Sequence, residues 1–461
     1  MLIGWAASDI TPPRPVILAG QFYVRVSDSV NDPLSATALA VEGQGADGRA
    51  DQAIMISCDR VGIPDEIQER VRKAVAPRLP GFDVRKLFLN ATHTHTAPQM
   101  TEGFYPPQRA EVMTPTEYAD LFVERVADAA VEAWTSRRPG GVAWAFGHAV
   151  VGHNRRAVYF GGSARMYGKT DDPQFDCIEG YEDHSLNALF FWDERRDLTG
   201  LAVNTACPSQ VTENAYYVSA DFWHEARTEI RKRHGERLFI LPQCAPAGDQ
   251  SPHFLLYGKE EAYMRERQGL SEREVIGRKI ANAVDELLPS AAKNVQADPA
   301  FRHVVRTVSL PVRTITDEEL QAAHSESERL EAWKPESERD ASTKFILLGR
   351  CRRVIERYGR QQAEPYYAME LHVLRLGDVA IATNPFELFL DFGMRIKARS
   401  KALQTFLIQL VGGSGGYLPT VKAVAGKSYG AEAASNQVGP EGGQVLVEAT
   451  VEEIARLWEN R

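Results

Sequence analysis

Apolar and polar positions alternate in short blocks along this chain, and the blocks read as strands and helices in turn. Apolar, β-type runs lie near 36–42, 53–58, 86–91, 142–150, 199–206, 237–243, 367–383 and 404–411, and each predicts a strand. Helical patterns lie near 64–77, 116–136, 221–234, 271–288, 388–400 and 444–459, where apolar residues recur at the spacing of one buried helix face. Residues 315–362 break the rhythm, crowding charge into Asp-Glu-Glu-Leu, Ser-Glu-Ser-Glu-Arg and Arg-Cys-Arg-Arg. They predict one or two solvated surface helices inserted before the final strands. No internal repeat, low-complexity tract or Gly/Ser linker divides the chain. The expected fold class is therefore mixed α/β, with mixed sheets flanked by helices in one catalytic domain over 1–461.

Composition narrows the function classes. At 461 residues the chain can bury a large core. Hydrophobic content of 44% with 25% charged residues is that of a globular protein rather than a disordered one. A net charge of −9 gives no electrostatic footprint for nucleic acid or an anionic membrane. No apolar run approaches the roughly 20 residues that span a bilayer. The N-terminus, Met-Leu-Ile-Gly-Trp-Ala-Ala-Ser, lacks a basic region followed by an apolar one, so the expected location is the cytoplasm. The cysteines, at 58, 177, 207, 244 and 351, are odd in number without a C-x-x-C pair, against a disulfide framework or a zinc knuckle. The expected partner is a small-molecule substrate, without nucleic acid or membrane insertion; assembly into a homo-oligomer stays open.

Residues capable of chemistry gather where predicted strands end. Phe88-Leu89-Asn90 leads to His93 and His95, and Pro98 stops the segment. In extended backbone, residues i and i+2 share a face, so the two imidazoles are expected to point the same way. Such a pair suits a metal site, or a metal ligand beside a catalytic partner; two solvated loop histidines would look the same. Leu201–Ala206 leads to Cys207, and Leu238–Leu241 to Asp249 and Ser251. Val379–Thr383 leads to Glu387, and Phe406–Val411 to the glycine run 412–416 and Tyr417. Ligands of open α/β sheets bind beyond the carboxyl ends of strands, so these exits are expected to meet in one cleft.

Each of these residues has a plainer explanation. A cysteine after an apolar strand is commonly inert and packed. Glu387 at a helix start complements the helix dipole. The glycine run lacks the residues of a phosphate-binding loop. Ser251-Pro252 reads equally as a turn and Asp221 as an N-cap. His224-Glu225 is not part of an H-E-x-x-H pair, because position 228 is Thr.

The order of motifs resembles the catalytic domain of the neutral/alkaline (non-lysosomal) ceramidases and their bacterial relatives. The likeness runs through Asp9-Ile-Thr-Pro-Pro13, Asn90-Ala-Thr-His93-Thr-His95-Thr-Ala-Pro98, His153-Asn154-Arg155, Val218-Ser-Ala-Asp221 and Gly248-Asp-Gln-Ser251-Pro252. It continues through Asn384-Pro-Phe-Glu387, Gly416-Tyr417-Leu-Pro-Thr420 and Ser428-Tyr429-Gly-Ala431, to about residue 445. The resemblance implies one divalent ion, zinc by preference, held by His93, Cys207, Glu387 and Tyr417. Cys207 stands where the family has a histidine, and thiolate is a competent zinc ligand. The resemblance further implies transition-state contacts from His95 and Tyr429, substrate polar contacts from Arg155, and a place in the site for Ser251. No G-x-S-x-G nucleophile elbow surrounds Ser251, so it reads as a wall of the site and a metal-activated water as the attacking group.

The family's C-terminal β-sandwich is expected to be missing, and nothing in the sequence marks a membrane-docking surface. The expectation is thus a hydrolase of a small, soluble amide or ester, with ceramide as the lesser option. Two alternatives remain: a metal-dependent lyase or isomerase of a sugar or acid, and a relative that binds ligand without chemistry.

Overall fold

A computed structural model describes residues 1–413 and 415–459; Ser414, inside the glycine run, lies outside the described residues. Strands β1 (Leu2–Asp9), β2 (Ser35–Gln44), β3 (Ala50–Cys58), β4 (Leu87–Ala91), β5 (Arg138–His148), β6 (Ser185–Asp193), β7 (Leu198–Thr205) and β8 (Phe239–Cys244) form one mixed sheet. Its order is β8-β7-β6-β5-β1-β2-β3-β4. Pairing is antiparallel through the middle and parallel at both margins, β3 with β4 and β7 with β8. Strands β9 (Phe301–Pro311), β10 (Tyr366–Leu376), β11 (Val379–Thr383) and β12 (Gln404–Ile408) form a second sheet in chain order.

The alternation of side chains along each strand decides how the sheets stack. In β2 and β3, Ala36, Ala38, Ala40, Ile54 and Ile56 pack under helices α1 (Asp65–Val75) and α2 (Pro115–Thr135). Their neighbours Leu39, Val41, Ala53 and Met55 face the other way and meet Phe301, Leu374, Ile381 and Phe406 of the second sheet. Strands apolar on both faces require cover on both. Helices α3 (Phe222–His234) and α4 (Glu272–Ala291) cover the rest of the first sheet's outer face. Helices α7 (Leu390–Arg399) and α8 (Pro440–Glu459) cover the second sheet through Phe392, Ile396 and Leu446. The result is a four-layer helix–sheet–sheet–helix stack. Each fully buried residue at the sheet interface, such as Phe191 or Ile381, contributes about 1.5–3 kcal/mol of transfer free energy.

Within these two sheets, strands β1, β6 and β9 go beyond those read from the sequence. The run 367–383 is not one strand but two, because Gly377 (φ +59°) and Asp378 turn the chain into a hairpin closed by Leu376 opposite Val379. The charged stretch folds as α5 (Asp317–Ala332) and α6 (Glu338–Arg360), each tied down by a narrow apolar stripe: Ile346 in one cluster, Ala323 and Val354 in another. Among the described residues no helix is long and apolar enough to cross a membrane.

Candidate active site

The strand carrying the two-histidine motif stops early. β4 ends at Ala91, and His93 takes a left-handed backbone conformation, φ +68°, a strained state for a residue with a Cβ. His93 and His95 therefore do not lie along one extended face as the sequence suggests. The turn aims the rings at one another instead, with Nε2 to Nε2 at 3.3 Å. The turn is held by Thr94 and Thr96, whose hydroxyls both donate to the Ser219 carbonyl. His93 Nδ1 donates to the Val61 carbonyl at 2.6 Å; a carbonyl only accepts, so Nδ1 carries a proton and Nε2 is the nitrogen turned toward the site.

Glu387 reaches the same point from the second sheet. Glu387–Leu388 pairs in parallel with Tyr417–Leu418, placing Glu387 opposite Tyr417. The Glu387 carboxylate lies 3.5 Å from His93 Nε2 and 3.9 Å from Arg155. Burial alone would raise its pKa, but His93, Arg155 and a hydrogen bond from Tyr417 hold it below the usual carboxylate range. Burial and the Glu387 charge together push the Tyr417 hydroxyl well above its ordinary value.

Arg155 is the hub. Its fully buried guanidinium donates to Tyr167 Oη (2.9 Å), Gln210 Oε1 (3.2 Å), the Gly248 carbonyl (2.9 Å) and Tyr417 Oη (3.3 Å). Tyr429 sets its ring edge-on to Tyr417, centroids 5.3 Å apart, and burial raises its hydroxyl to about 12.

Along its whole length the chain superposes on the neutral ceramidase of Pseudomonas aeruginosa, with a TM-score of 0.73, 16% identity and 74% of that chain covered. A ceramidase complexed with C2 matches likewise, at TM-score 0.71 and 15% identity, with 75% of it covered. This is the neutral ceramidase fold. No family model and no curated protein matches the sequence. At such identity the likeness is one of fold, and a fold does not carry a substrate with it.

Within the ceramidase fold, six of the eight residues marked in the sequence come together: His93, His95, Glu387, Tyr417, Tyr429 and Arg155. Ser251 joins them at the edge. It is fully buried, and its Oγ accepts from Tyr167 Oη (3.2 Å) and the His253 amide (3.1 Å). Cys207 contacts the helix layer. Its thiol donates to the Val151 carbonyl at 3.2 Å and sits in the apolar cluster beneath α3 and α4. Burial pushes its pKa well above the usual thiol value.

Gln210, Glu213 and Tyr167 were not singled out in the sequence. Gln210 lies three residues beyond Cys207 at the same strand exit. Its Nε2 donates to His95 Nε2 at 2.8 Å, which occupies that ring's single lone pair. Glu213 faces the other ring nitrogen, 3.7 Å from Nδ1. Burial, reinforced by neighbouring His93, drives the His95 pKa well below its ordinary value, so the ring is neutral.

Among the described residues no group of three His, Cys, Asp or Glu side chains is placed to hold a metal ion as it stands. The donor chemistry nonetheless fits a divalent cation. With its proton on Nδ1, His93 would offer Nε2 as a ligand, Glu387 is ionised, and Tyr417 adds a phenol oxygen. The 3.5 Å between His93 and Glu387 is close to the ligand–ligand edge of about 3.3–3.5 Å that bonds of about 2.0–2.2 Å give in a tetrahedron. Three protein ligands leave one position open, the arrangement of catalytic rather than structural zinc sites.

Proposed function

We propose that this protein is a metal-dependent hydrolase that cleaves a small amide or ester, with His93, Glu387 and Tyr417 holding one divalent ion, zinc by preference. The observation that carries the reading is the convergence of His93 and Glu387 from two different sheets onto one buried point beside Arg155. An ion held there would polarise the scissile carbonyl and lower the pKa of a water molecule.

The chain's own residues do the rest. Arg155 fixes Tyr417 and Tyr167 and balances the Glu387 carboxylate, so the site carries little uncompensated charge before substrate enters. Tyr429 keeps its proton at neutral pH because its pKa stands near 12, and it donates to the oxyanion that develops on the carbonyl oxygen. His95 is neutral and clamped by Gln210, which keeps it beside the reacting carbonyl without adding charge. Ser251, with its hydroxyl tied to Tyr167, forms part of the wall.

Metal analysis of the purified protein, followed by a screen of N-acyl and ester substrates in ¹⁸O-water, tests this. Stoichiometric zinc and solvent oxygen in the acid product are the expected results. Products free of solvent oxygen would instead mean a metal-dependent lyase or isomerase. A metal-free protein without affinity for divalent ions would remove the reading altogether.

A further inference from the structure

One face of α6 is laid on the 19–25 loop. Arg339, Ser342, Ile346 and Arg350 recur at the three- and four-residue spacing of a single helix face. Arg339 stacks on the Tyr23 ring at 3.7 Å, and Ser342 Oγ accepts the Val24 amide at 3.1 Å. Ile346 packs with Ile17, Phe22, Val24 and Tyr105. Arg350 lies 4.8 Å above Phe22 and 5.7 Å above Tyr429, braced by Glu432 and Ser435.

The loop so held lies directly over the site. Gly20 presses on the His95 ring so closely that a Cβ there would reach within 2.5 Å of Nδ1. Arg25, fully buried, donates to the carbonyls of Ala19 and His95 at 2.6 Å each. Phe22 sets its ring edge-on to Tyr429 at 5.4 Å. From Gly20 to Phe22 the loop thus bridges from His95 to Tyr429, and every residue of α6 named above holds it down.

We infer that α6 latches the 19–25 loop as a roof over His95 and Tyr429, and that this roof sets an upper limit on the size of the acyl group the site admits. The inference rests on the hydrolase reading for its substrate class. A long acyl chain passing Tyr429 would have to displace Phe22 and, behind it, Arg350 from its ion pair with Glu432. A short acyl group would not reach them.

Ser342→Ala and the double variant Arg339→Ala/Ser342→Ala loosen the latch without touching any group at the reacting centre. Two measurements on the full chain decide the matter. The first is kcat/KM for acetyl, octanoyl and palmitoyl amides or esters of one fluorogenic amine or phenol. Wild type should favour the acetyl substrate, and the double variant should reduce that preference by about tenfold or more, through the palmitoyl substrate alone. The second needs no turnover: hydrogen exchange of the 17–27 amides and the rate at which diethyl pyrocarbonate modifies His95, read by peptide mass. Both should rise in the variants while melting temperature and circular dichroism stay close to wild type.

Parallel change in all three substrates, or a wild-type preference for palmitoyl, would overturn the size limit. Unchanged exchange and unchanged His95 modification would overturn the roof itself. If wild type hydrolyses none of the substrates, the hydrolase reading fails on its own, and the exchange and modification rates still decide whether α6 latches the loop.

Discussion

Arg155 and Gln210 are joined by one hydrogen bond of 3.2 Å, and it decides the state of a third residue. A guanidinium only donates, so Gln210 Oε1 faces Arg155 and its amide nitrogen must face His95. His95 then accepts at Nε2 and carries its proton on Nδ1, toward Glu213. The same Arg155 holds Tyr417 and the Gly248 carbonyl. One buried cation thereby sets the orientation of groups on four separate segments of the chain.

On the proposed reading, Tyr429→Phe removes the phenol that donates to the developing oxyanion. The expected result is a fall in kcat of about a hundredfold, corresponding to about 3 kcal/mol of transition-state stabilisation. Metal content and melting temperature should not change, since the ring contacts with Phe22 and Tyr417 survive. Wild-type kcat in this variant would take Tyr429 out of the mechanism.

Gly248→Ala tests how tightly Glu387 is positioned. A Cβ at Gly248 would collide with the Glu387 carbonyl oxygen and come within 2.9 Å of its carbon. Both are backbone atoms inside a paired strand and have little room to yield. A destabilisation of about 1–3 kcal/mol is expected, typical of overpacking, together with weaker metal binding as Glu387 shifts. A variant equal to wild type in both would show that the Glu387 backbone moves freely.

At Cys207 we propose that the thiol is held by packing, through its bond to the Val151 carbonyl and the apolar cluster around it. Cys207→Ala should leave zinc affinity unchanged and cost about 1 kcal/mol in urea denaturation. Cobalt(II) loaded into wild type should show no intense sulfur-to-metal charge-transfer band. Cys207→His, which restores the residue type found in the family, should lower the melting temperature because a ring must fit into a filled cluster. A thiolate band in the cobalt protein, or loss of zinc in Cys207→Ala, would return Cys207 to the ligand set.

Glu370 gives the stability a defined acid limb. It accepts from Arg72 at 2.6 Å and from His372 at 2.9 Å. Burial would raise its pKa, but these two partners outweigh it and bring the value down from 4.5 to about 2. The folded state therefore prefers the ionised carboxylate. That stabilisation is complete above the unfolded value of 4.5 and is lost as the pH falls from there toward 2, by up to about 3 kcal/mol. Urea midpoints at pH 6 and pH 3 should differ less in Glu370→Gln than in wild type. Equal losses in the two proteins would show that other carboxylates carry the acid limb.

Local pattern determined a good deal of this protein by itself. The runs at 53–58 and 86–91 are strands whose apolar residues fall on both faces, Ile54, Ile56 and Leu89 on one and Ala53, Met55 and Phe88 on the other, as a strand covered on both faces requires. The periodicities at 64–77, 116–136 and 271–288 are helices because one stripe of each is apolar and the rest is not. The positions of His93, His95, Glu387, Tyr417 and Tyr429 at or near strand exits were legible for the same reason: the strands are recognisable, and their ends follow.

Tertiary structure decided the rest. Whether 367–383 was one strand or two depended on Gly377 adopting positive φ, a choice the apolar run around it does not reveal. His93 and His95 met through a left-handed turn rather than along a strand, because Thr94 and Thr96 found the Ser219 carbonyl more than a hundred positions away in the chain. Cys207 and Gln210 share one strand exit, yet the first turned into the helix layer and the second into the site. That division was set by which side of the sheet had room for a thiol and which offered Arg155 and His95 as hydrogen-bond partners. Sequence periodicity reports the face a residue occupies within its own element; the partners that fix its role are supplied by other elements, and only the packed structure brings them within bonding distance.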